Sequence, residues 1–377
     1  MSLFKPRKEL TYDMLNQRQL MALKFKKHKL AVAASFLLVA LYGMAIFAPF
    51  FAPYGKYDRN LDYSFCPPHR LGWDSELGLH AKGVRREIDP VTLQSFYVNA
   101  PDNNAPLRFF VKGKRYKLWG LWETERHFFG VDLTKVPAAP NAAQRYVYFM
   151  AGADRYGYDI FSRIVQGATI SLSVGLIGVM MSFVFGIVIG GISGYCGGVV
   201  DTLIQRLIEI INSFPSLPMW LALAAAVPSD WDPLQTYFAI TLTLSFLSWT
   251  HLARVVRGKI LSLREEDYAV AARLLGASHG RILFRHLLPG FTSHIIVSLS
   301  LTVPGMILGE TSLSFLGLGL RPPVVSWGVM LQDCMNVKAV IDYPWLLAPV
   351  VMLVFAVLCF NFLGDGLRDA ADPYAVK

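Results

Sequence analysis

Six apolar runs of membrane-crossing length limit what this chain can fold into, because a bilayer core of about 30 Å takes roughly 20 apolar residues of helix. They extend from Leu30 to Ala52, Ala168 to Tyr195, about Leu203 to Val227, Tyr237 to about Ala253, about Ile295 to Leu318, and Pro344 to Leu363. The first is too long and too late for a signal peptide, and it lacks a small-residue cleavage site. With 54% hydrophobic and 17% charged residues among 377 and a mean hydropathy of +0.39, the chain has too little polar surface for an aqueous globule. The expected class is an all-α polytopic membrane protein with six transmembrane helices. The second run is rich in glycine and serine, which let helix backbones approach closely in lipid, so it belongs inside a bundle. Pro215, Pro218 and Pro304 fall in the third and fifth runs, where proline kinks a helix unless neighbours satisfy the freed carbonyls.

The formal net charge of +9 is divided among the N-terminal tail, a polar block after the first run and the segment after the fourth. No single basic face for nucleic acid emerges, and anionic lipid and topology account for the tail and the later segment. Eight basic residues precede the first run, and Arg254, Arg257, Lys259, Arg264, Arg273, Arg281 and Arg285 crowd the connection between the fourth and fifth. Both stretches are expected on the cytoplasmic side. Six crossings then leave the tails 1–29 and 365–377 inside the cell.

The same alternation puts residues 53–167 outside, as a β-rich extracytoplasmic domain inserted between the first two helices; a loop beyond roughly 60 residues escapes the charge rule. Its stretch LRFFVKGKRYKLWGLWETERHFFGVD reads as paired strands around a turn-like Lys112-Gly113-Lys114. The block is either a compact cap on the membrane helices or a docking surface for an external partner, with Trp119, Trp122, Phe128 and Phe129 as candidate anchors. Cys66, Cys196, Cys334 and Cys359 lack metal-ligand spacing, and the topology allows a disulfide between Cys66 and Cys334. His279, His286 and His294 are spaced by seven and eight, unlike the i, i+4 pair of a helical zinc site, so no metal is expected.

Between the fourth and fifth runs lies DYAVAARLLGASHGRILFRHLLPG. Tyr268, Ala272 and Leu275 share a face at helical spacing, and Ala271 with Ala272 keeps that surface shallow. Gly276 is placed to bend the chain. Ser278 is placed to cap a second short helix carrying Ile282, Phe284 and Leu288, which Pro289 ends. Such an elbow suits either protein docking or an amphipathic helix lying on anionic lipid.

Val270-Ala271-Ala272, Gly276 and Leu288-Pro289 resemble the "EAA" loop of permease subunits of ATP-binding-cassette importers, with Val270 where the signature has glutamate and Glu265, Glu266 and Asp267 just upstream. GADRYGYDIFSRIVQGATISLSVGL resembles the segment before the second span in dipeptide, oligopeptide and nickel permeases, through Gly152, Asp154, Gly157, Asp159, Ser162 and Arg163. GYCGGVVDTLIQRLIEIINSFPSLP resembles the next turn and span, with Glu209 where aspartate is common. GETSLSFLGLGLRPPVVSWGVML and FNFLGDGLRDAADP complete a likeness over about residues 30–60 and 150–375. It is a likeness to the second, "C-type" permease of a peptide-class system.

The resemblance implies the type I importer permease fold, with a core over 168–364 and a coupling loop over 254–290, in a bacterial inner membrane. It implies a non-catalytic half-channel, paired with a second permease, two cytoplasmic ATPases and an extracytoplasmic substrate-binding protein. The chain has no GxxxxGK[ST] phosphate loop; ATP and Mg belong to the partner subunits, and no cofactor is expected here. Glu266, Tyr268, Ala271, Ala272, Arg273, Gly276, Ala277, Ser278, Leu288 and Pro289 are the implied ATPase-coupling residues. Peptides are the expected cargo, with nickel or another small solute as the alternative.

Glu310, an intramembrane carboxylate, is a functional candidate by default, and the plainer alternative makes it a structural partner of Arg321. Ser314 and Asn361 join it as translocation-path or structural candidates. Arg206 and Glu209 suit a snorkelling or structural role near the inner end of the third span. A secondary transporter should show repeats with midplane charge, and an intramembrane protease would need a second aspartate at the depth of Asp365. The sequence supports neither rival.

Overall fold

The computed structural model describes residues 17–91, 95–137, 142–228 and 230–371; the outermost parts of both expected tails lie outside these. Five helices among the described residues are long and apolar enough to cross a membrane, and a bent helix pair makes a sixth crossing if counted as one.

Span one is Lys29–Ile46, shorter than the apolar run because the helix breaks at Phe47 before a turn, Ala48–Phe51. Pro49 lies in that turn; its ring clashes with the carbonyl four residues back and it has no amide to donate. Ahead of the span, Gln17–Lys27 is helical. Gly366 of the last helix comes so close to Ala31 that a Cβ there would lie 2.1 Å from the alanine Cβ.

Span two, Ile160–Cys196, starts eight residues before the apolar run. Its start is fixed by Asp159, whose carboxylate accepts the Ser162 amide proton at 2.8 Å, satisfying one of the amides a helix start leaves open. Upstream, Asp154 accepts the amides of Tyr156 and Tyr158 and pairs with Arg163. Gly157 has φ +73, and a Cβ there would fall 1.8 Å from the Asn60 carbonyl oxygen. The motif before span two is thus a fold-defining knot.

The third run is not one straight helix. Gly198–Ser213 and Ser216–Ala225 meet at 87°, because Phe214 is extended (φ −93, ψ 137) ahead of Pro215, as the residue before proline prefers. Span four, Pro233–Leu263, opens with a reciprocal Asp232–Gln235 capping box and continues ten residues past the expected end, carrying Arg254, Arg257 and Lys259 on helix. Span five is Thr292–Phe315 with Pro304 inside it. Span six, Ala348–Ala371, also outlasts its apolar run.

Spans two and four pack through glycine. A Cβ on Gly186 would sit 2.8 Å from the Leu252 side chain, one on Gly190 2.4 Å from the Ala253 carbonyl oxygen, and one on Gly194 2.8 Å from the Arg257 carbonyl oxygen. Residues four apart share a helix face, so a small-xxx-small stripe brings the two backbones together. Leu172, Ile240, Leu244, Ile307 and Trp327, all fully buried, fill the bundle around this seam.

Between spans one and two, strands β1 (Leu71–Asp74), β2 (Gly78–Ala81), β5 (Ala105–Leu118) and β6 (Trp122–Val131) form an antiparallel sheet in the order β1-β2-β5-β6. Strands β3 (Val84–Ile88) and β4 (Ser95–Asn99) pair separately. Lys112-Gly113-Lys114 is not the hairpin turn. It lies within β5 at a register shift, where Gly113 leaves room for the His127 ring, 2.6 Å from where a Cβ would stand. The turn is Trp119-Gly120, both left-handed at φ 53 and 74, closed by the Leu121 amide on the Leu118 carbonyl at 3.0 Å. Two successive positive φ angles match the right-handed twist of the flanking strands.

Cys66 and Cys334 do not pair; all four cysteines are free. Each of these two thiols faces a backbone carbonyl instead, that of Pro67 and that of Leu346. His69 is buried and its Nδ1 accepts the Phe149 amide at 3.2 Å. Burial lowers its pKa from the ordinary 6.5 to about 4. Because the folded state holds the neutral ring, this contribution to stability is present above pH 6.5 and is lost as pH falls toward about 4. Protection factors of the amides around Phe149, corrected for the pH dependence of intrinsic exchange, are therefore expected to fall on acidification across that window. The fall should shrink in His69→Gln, and an unchanged fall in that variant would count against His69 as its source.

Candidate functional site

The elbow between spans four and five begins with a two-turn helix, Asp267–Leu274. It ends as the sequence predicts, on Gly276 at φ +77. The Ala277 amide donates to the Ala272 carbonyl and the Gly276 amide to the Arg273 carbonyl, both at 3.0 Å, the paired bonds of a Schellman stop. Ser278 caps the next turn through its hydroxyl, which accepts the Arg281 amide at 3.4 Å.

The faces differ from expectation. Ala269 and Ala272 point inward, so Ala272 does not share an exposed face with Tyr268 and Leu275. The two methyls belong to the buried apolar cluster that also holds Val256, Ile260, Ile282 and Leu287. Ala271, Arg273 and Glu266 face out, and Leu274 and Leu275 are 83% and 88% exposed. The second short helix is likewise modified. His279–Arg281 runs into a π-helical stretch, Ile282–Leu287, and a 3-10 turn, Leu288–Phe291, leading into span five. Pro289 therefore sits in a continuous winding instead of ending a helix. Ile282 and Leu288 are buried while Phe284 is exposed, since the wider π turn shifts the period away from 3.6 residues.

A polar clamp that sequence reasoning passed over ties this elbow to the bundle. Asp201, at the start of the bent third span, receives two hydrogen bonds from Arg257 of span four, Nε to Oδ1 and Nη2 to Oδ2, both at 2.5 Å. Ser193 of span two donates to the same carboxylate at 2.5 Å. Arg264 donates to the Gly194 carbonyl at 3.0 Å, covering an open carbonyl at the end of span two. Fork-to-fork geometry fixes orientation as well as distance, so the clamp ties spans two, three and four together at the elbow's base. The sequence signal was an aspartate two residues ahead of the third apolar run, with Arg257 just beyond the fourth.

Glu310 is 0% exposed and is caged by hydroxyls. Ser314 and Ser326 donate to Oε1 at 2.9 and 2.8 Å, and Ser171 donates to Oε2 at 3.1 Å. Ser171 in turn accepts the Trp327 amide, Ser326 the Val329 amide and Ser314 the Leu320 amide. The carboxylate thus ties span two to span five and to the loop after it. Arg321 is not its partner: it lies exposed and donates to the Gly317 carbonyl at 3.1 Å. Asn361, half-buried on span six, takes no hydrogen bond in this cage. Arg206 and Glu209 pair with each other at 2.6 Å on an exposed face.

Replacing Glu310 by alanine removes the acceptor of three buried hydroxyls and is expected to cost about 3 kcal/mol or more, at roughly 1 kcal/mol per hydrogen bond plus the desolvation of the orphaned groups. Glu310→Gln keeps one oxygen and should cost about 1 kcal/mol. Thermal midpoints in detergent should rank wild type, glutamine, alanine; equal midpoints for all three would remove the structural role. Of the hairpin's aromatics, Phe128 packs on Phe50 and Phe51 and Phe129 on Tyr148 and Phe161. Trp119 and Trp122 lie at the hairpin tip, 5.7 Å apart.

Residues 186–376 match the family described as "Binding-protein-dependent transport system inner membrane component". Residues 16–68 match the "N-terminal TM domain of oligopeptide transport permease C". The chain is 40% identical over 243 residues to the oligopeptide transport system permease protein OppC of Haemophilus influenzae, covering 64% of this chain and 75% of that protein. It is 38% identical to OppC of Bacillus subtilis over 59% of this chain and 70% of that one. With the dipeptide transport system permease protein DppC of B. subtilis it shares 37% identity over 59% of this chain and 68% of that protein.

Proposed function

Since this chain belongs to the family of inner-membrane permeases of binding-protein-dependent, ATP-binding-cassette importers, we propose that it forms half of a peptide translocation path, paired with a second permease. Two cytoplasmic ATPases bind below the permease pair, this chain engaging them through its 254–290 coupling loop, and an extracytoplasmic binding protein delivers the cargo. Both chain ends lie in the cytoplasm and residues 53–167 face outside. The chain binds no nucleotide and catalyses no reaction itself.

The observation that carries this reading is the bare apolar pair Leu274-Leu275 on a helix whose other face is packed against the bundle. Two leucines in water at the tip of a rigidly stopped helix are a ready contact for a partner groove. A push on that helix passes through Ala269 and Ala272 into spans four and five, and through the Arg257–Asp201 clamp into spans two and three. The elbow thereby turns a soluble-domain movement into rocking of packed helices. Cargo in the peptide class is supported by the printed names of the relatives, which are oligopeptide and dipeptide permeases.

Reconstitution of the chain with its companion permease, ATPases and binding protein in vesicles tests the proposal. Labelled peptide should accumulate only with ATP. ATP-driven uptake of nickel or another small solute, with peptides ignored, would keep the importer and overturn the cargo; accumulation by this chain alone would overturn the mechanism.

A further inference from the structure

The β5–β6 hairpin runs back along the end of span one. In mid-strand, Phe110 and Phe128 contact Phe50, at 6.3 and 5.9 Å between ring centroids, and Phe128 contacts Phe51 at 5.4 Å. At the tip, the Trp119 indole donates to the Ile46 carbonyl at 2.9 Å and packs tilted against Phe47, with ring centroids 5.2 Å apart. From mid-strand to tip the hairpin therefore retreats from Phe51 to Ile46, roughly 7 Å toward the bilayer at 1.5 Å per residue.

At that depth the tip is oily and bare: Trp119, Leu121 and Trp122 are 52%, 74% and 60% exposed. Away from the tip, at mid-strand, an open and mostly apolar groove of about 320 Å³, lined by Met44, Phe51, Arg108, Phe128, Phe129 and Phe161 among others, joins the sheet to spans one and two. Met44 belongs to span one, so the groove reaches bilayer depth. The hairpin carries six Lys or Arg against two Glu between residues 105 and 131, but five of the six are ion-paired within the domain, Arg108 to Asp132, Lys112 and Arg115 to Glu125, Lys114 to Asp58 and Lys117 to Glu123. Indole rings favour the membrane interface.

We propose that this hairpin is a lipid-contact element: Trp119, Leu121 and Trp122 sit in the interfacial layer of the leaflet at the C-terminal end of span one, and a phospholipid acyl chain fills the groove. A soluble protein partner is the less fitting occupant. The tip is bonded to the last residue of a membrane helix, and reaching it from water means passing the headgroups. The inference needs only that span one crosses a bilayer, and it is independent of how the elbow works.

The test compares the full chain with a Trp119→Phe, Trp122→Phe double variant in nanodiscs of ordinary phospholipid or of phospholipid brominated high on the acyl chain. The emission difference between the two proteins reports the tip. Bromolipid should quench at least half of that difference, and aqueous iodide should leave it nearly unchanged. Quenching by iodide with indifference to bromolipid would overturn the proposal, and iodide quenching relieved by a purified substrate-binding protein would assign the tip to docking instead. Should the double variant fold poorly, a spin label on Leu121→Cys, in a chain whose exposed Cys196 and half-buried Cys334 are replaced by serine, gives the same decision: greater accessibility to oxygen than to an aqueous nickel reagent supports burial in lipid, and the reverse sinks it.

Discussion

Gly276→Trp is expected to abolish uptake while leaving the protein in the membrane. The glycine sits at φ +77, where an L side chain costs about 1 kcal/mol, a strain that alanine shares with tryptophan. Nothing among the described residues lies within 4 Å of a Cβ built there, so a side chain at this position leaves the backbone into open space. The obstacle arises only if another protein covers the elbow. Gly276→Ala should therefore lose uptake partially through strain. Gly276→Trp should lose it by roughly tenfold or more beyond alanine, which corresponds to about 1.4 kcal/mol of lost docking. Comparing membrane-fraction abundance, co-purified ATPase and peptide uptake for the pair checks this. Equal behaviour of the two variants would mean that bulk at the elbow is irrelevant.

Gly190→Leu is expected to be still more damaging, and for the opposite reason. Its Cβ would fall 2.4 Å from a backbone oxygen of span four, and a backbone cannot rotate aside as a side chain can. Overpacking costs about 1–3 kcal/mol where neighbours can adjust, and more where they cannot. The folded yield should collapse, and the elbow should lose its footing because Ala253 and Arg257 lie on the displaced helix. Gly258→Leu, on the exposed side of the same helix with nothing within 4 Å, is the control and should fold normally. Folded yield and thermal midpoint by size-exclusion in detergent decide the matter; a well-folded Gly190→Leu would mean that the seam between spans two and four is looser than its geometry implies.

The membrane helices were legible because length and hydropathy are local properties, whereas the caps that start spans two and four, Asp159 and Asp232, were not read from the sequence. The third span's bend was foreshadowed by Pro215 and lost only because its apolar content continued across the break. The hairpin turn was missed for a different reason. Lys112-Gly113-Lys114 has turn-like composition but sits beside a histidine ring that requires a glycine, whereas the actual turn places a tryptophan at positive φ, which composition disfavours. The Gly276 stop and the Ser278 cap follow from residue chemistry within a few positions and emerged as expected. The serine cage around Glu310 and the Asp201–Arg257 clamp join residues 139 and 56 positions apart. Pairings of that kind depend on which helices become neighbours, and no local pattern records them.

The account rests on the elbow being the surface that the ATPase grips, and site-specific photo-crosslinking in the assembled transporter measures this directly. A photoreactive residue in place of exposed Leu275 should crosslink to the ATPase subunit, and one in place of buried Ala269 should not. Full transport with no ATPase adduct from position 275 would contradict it.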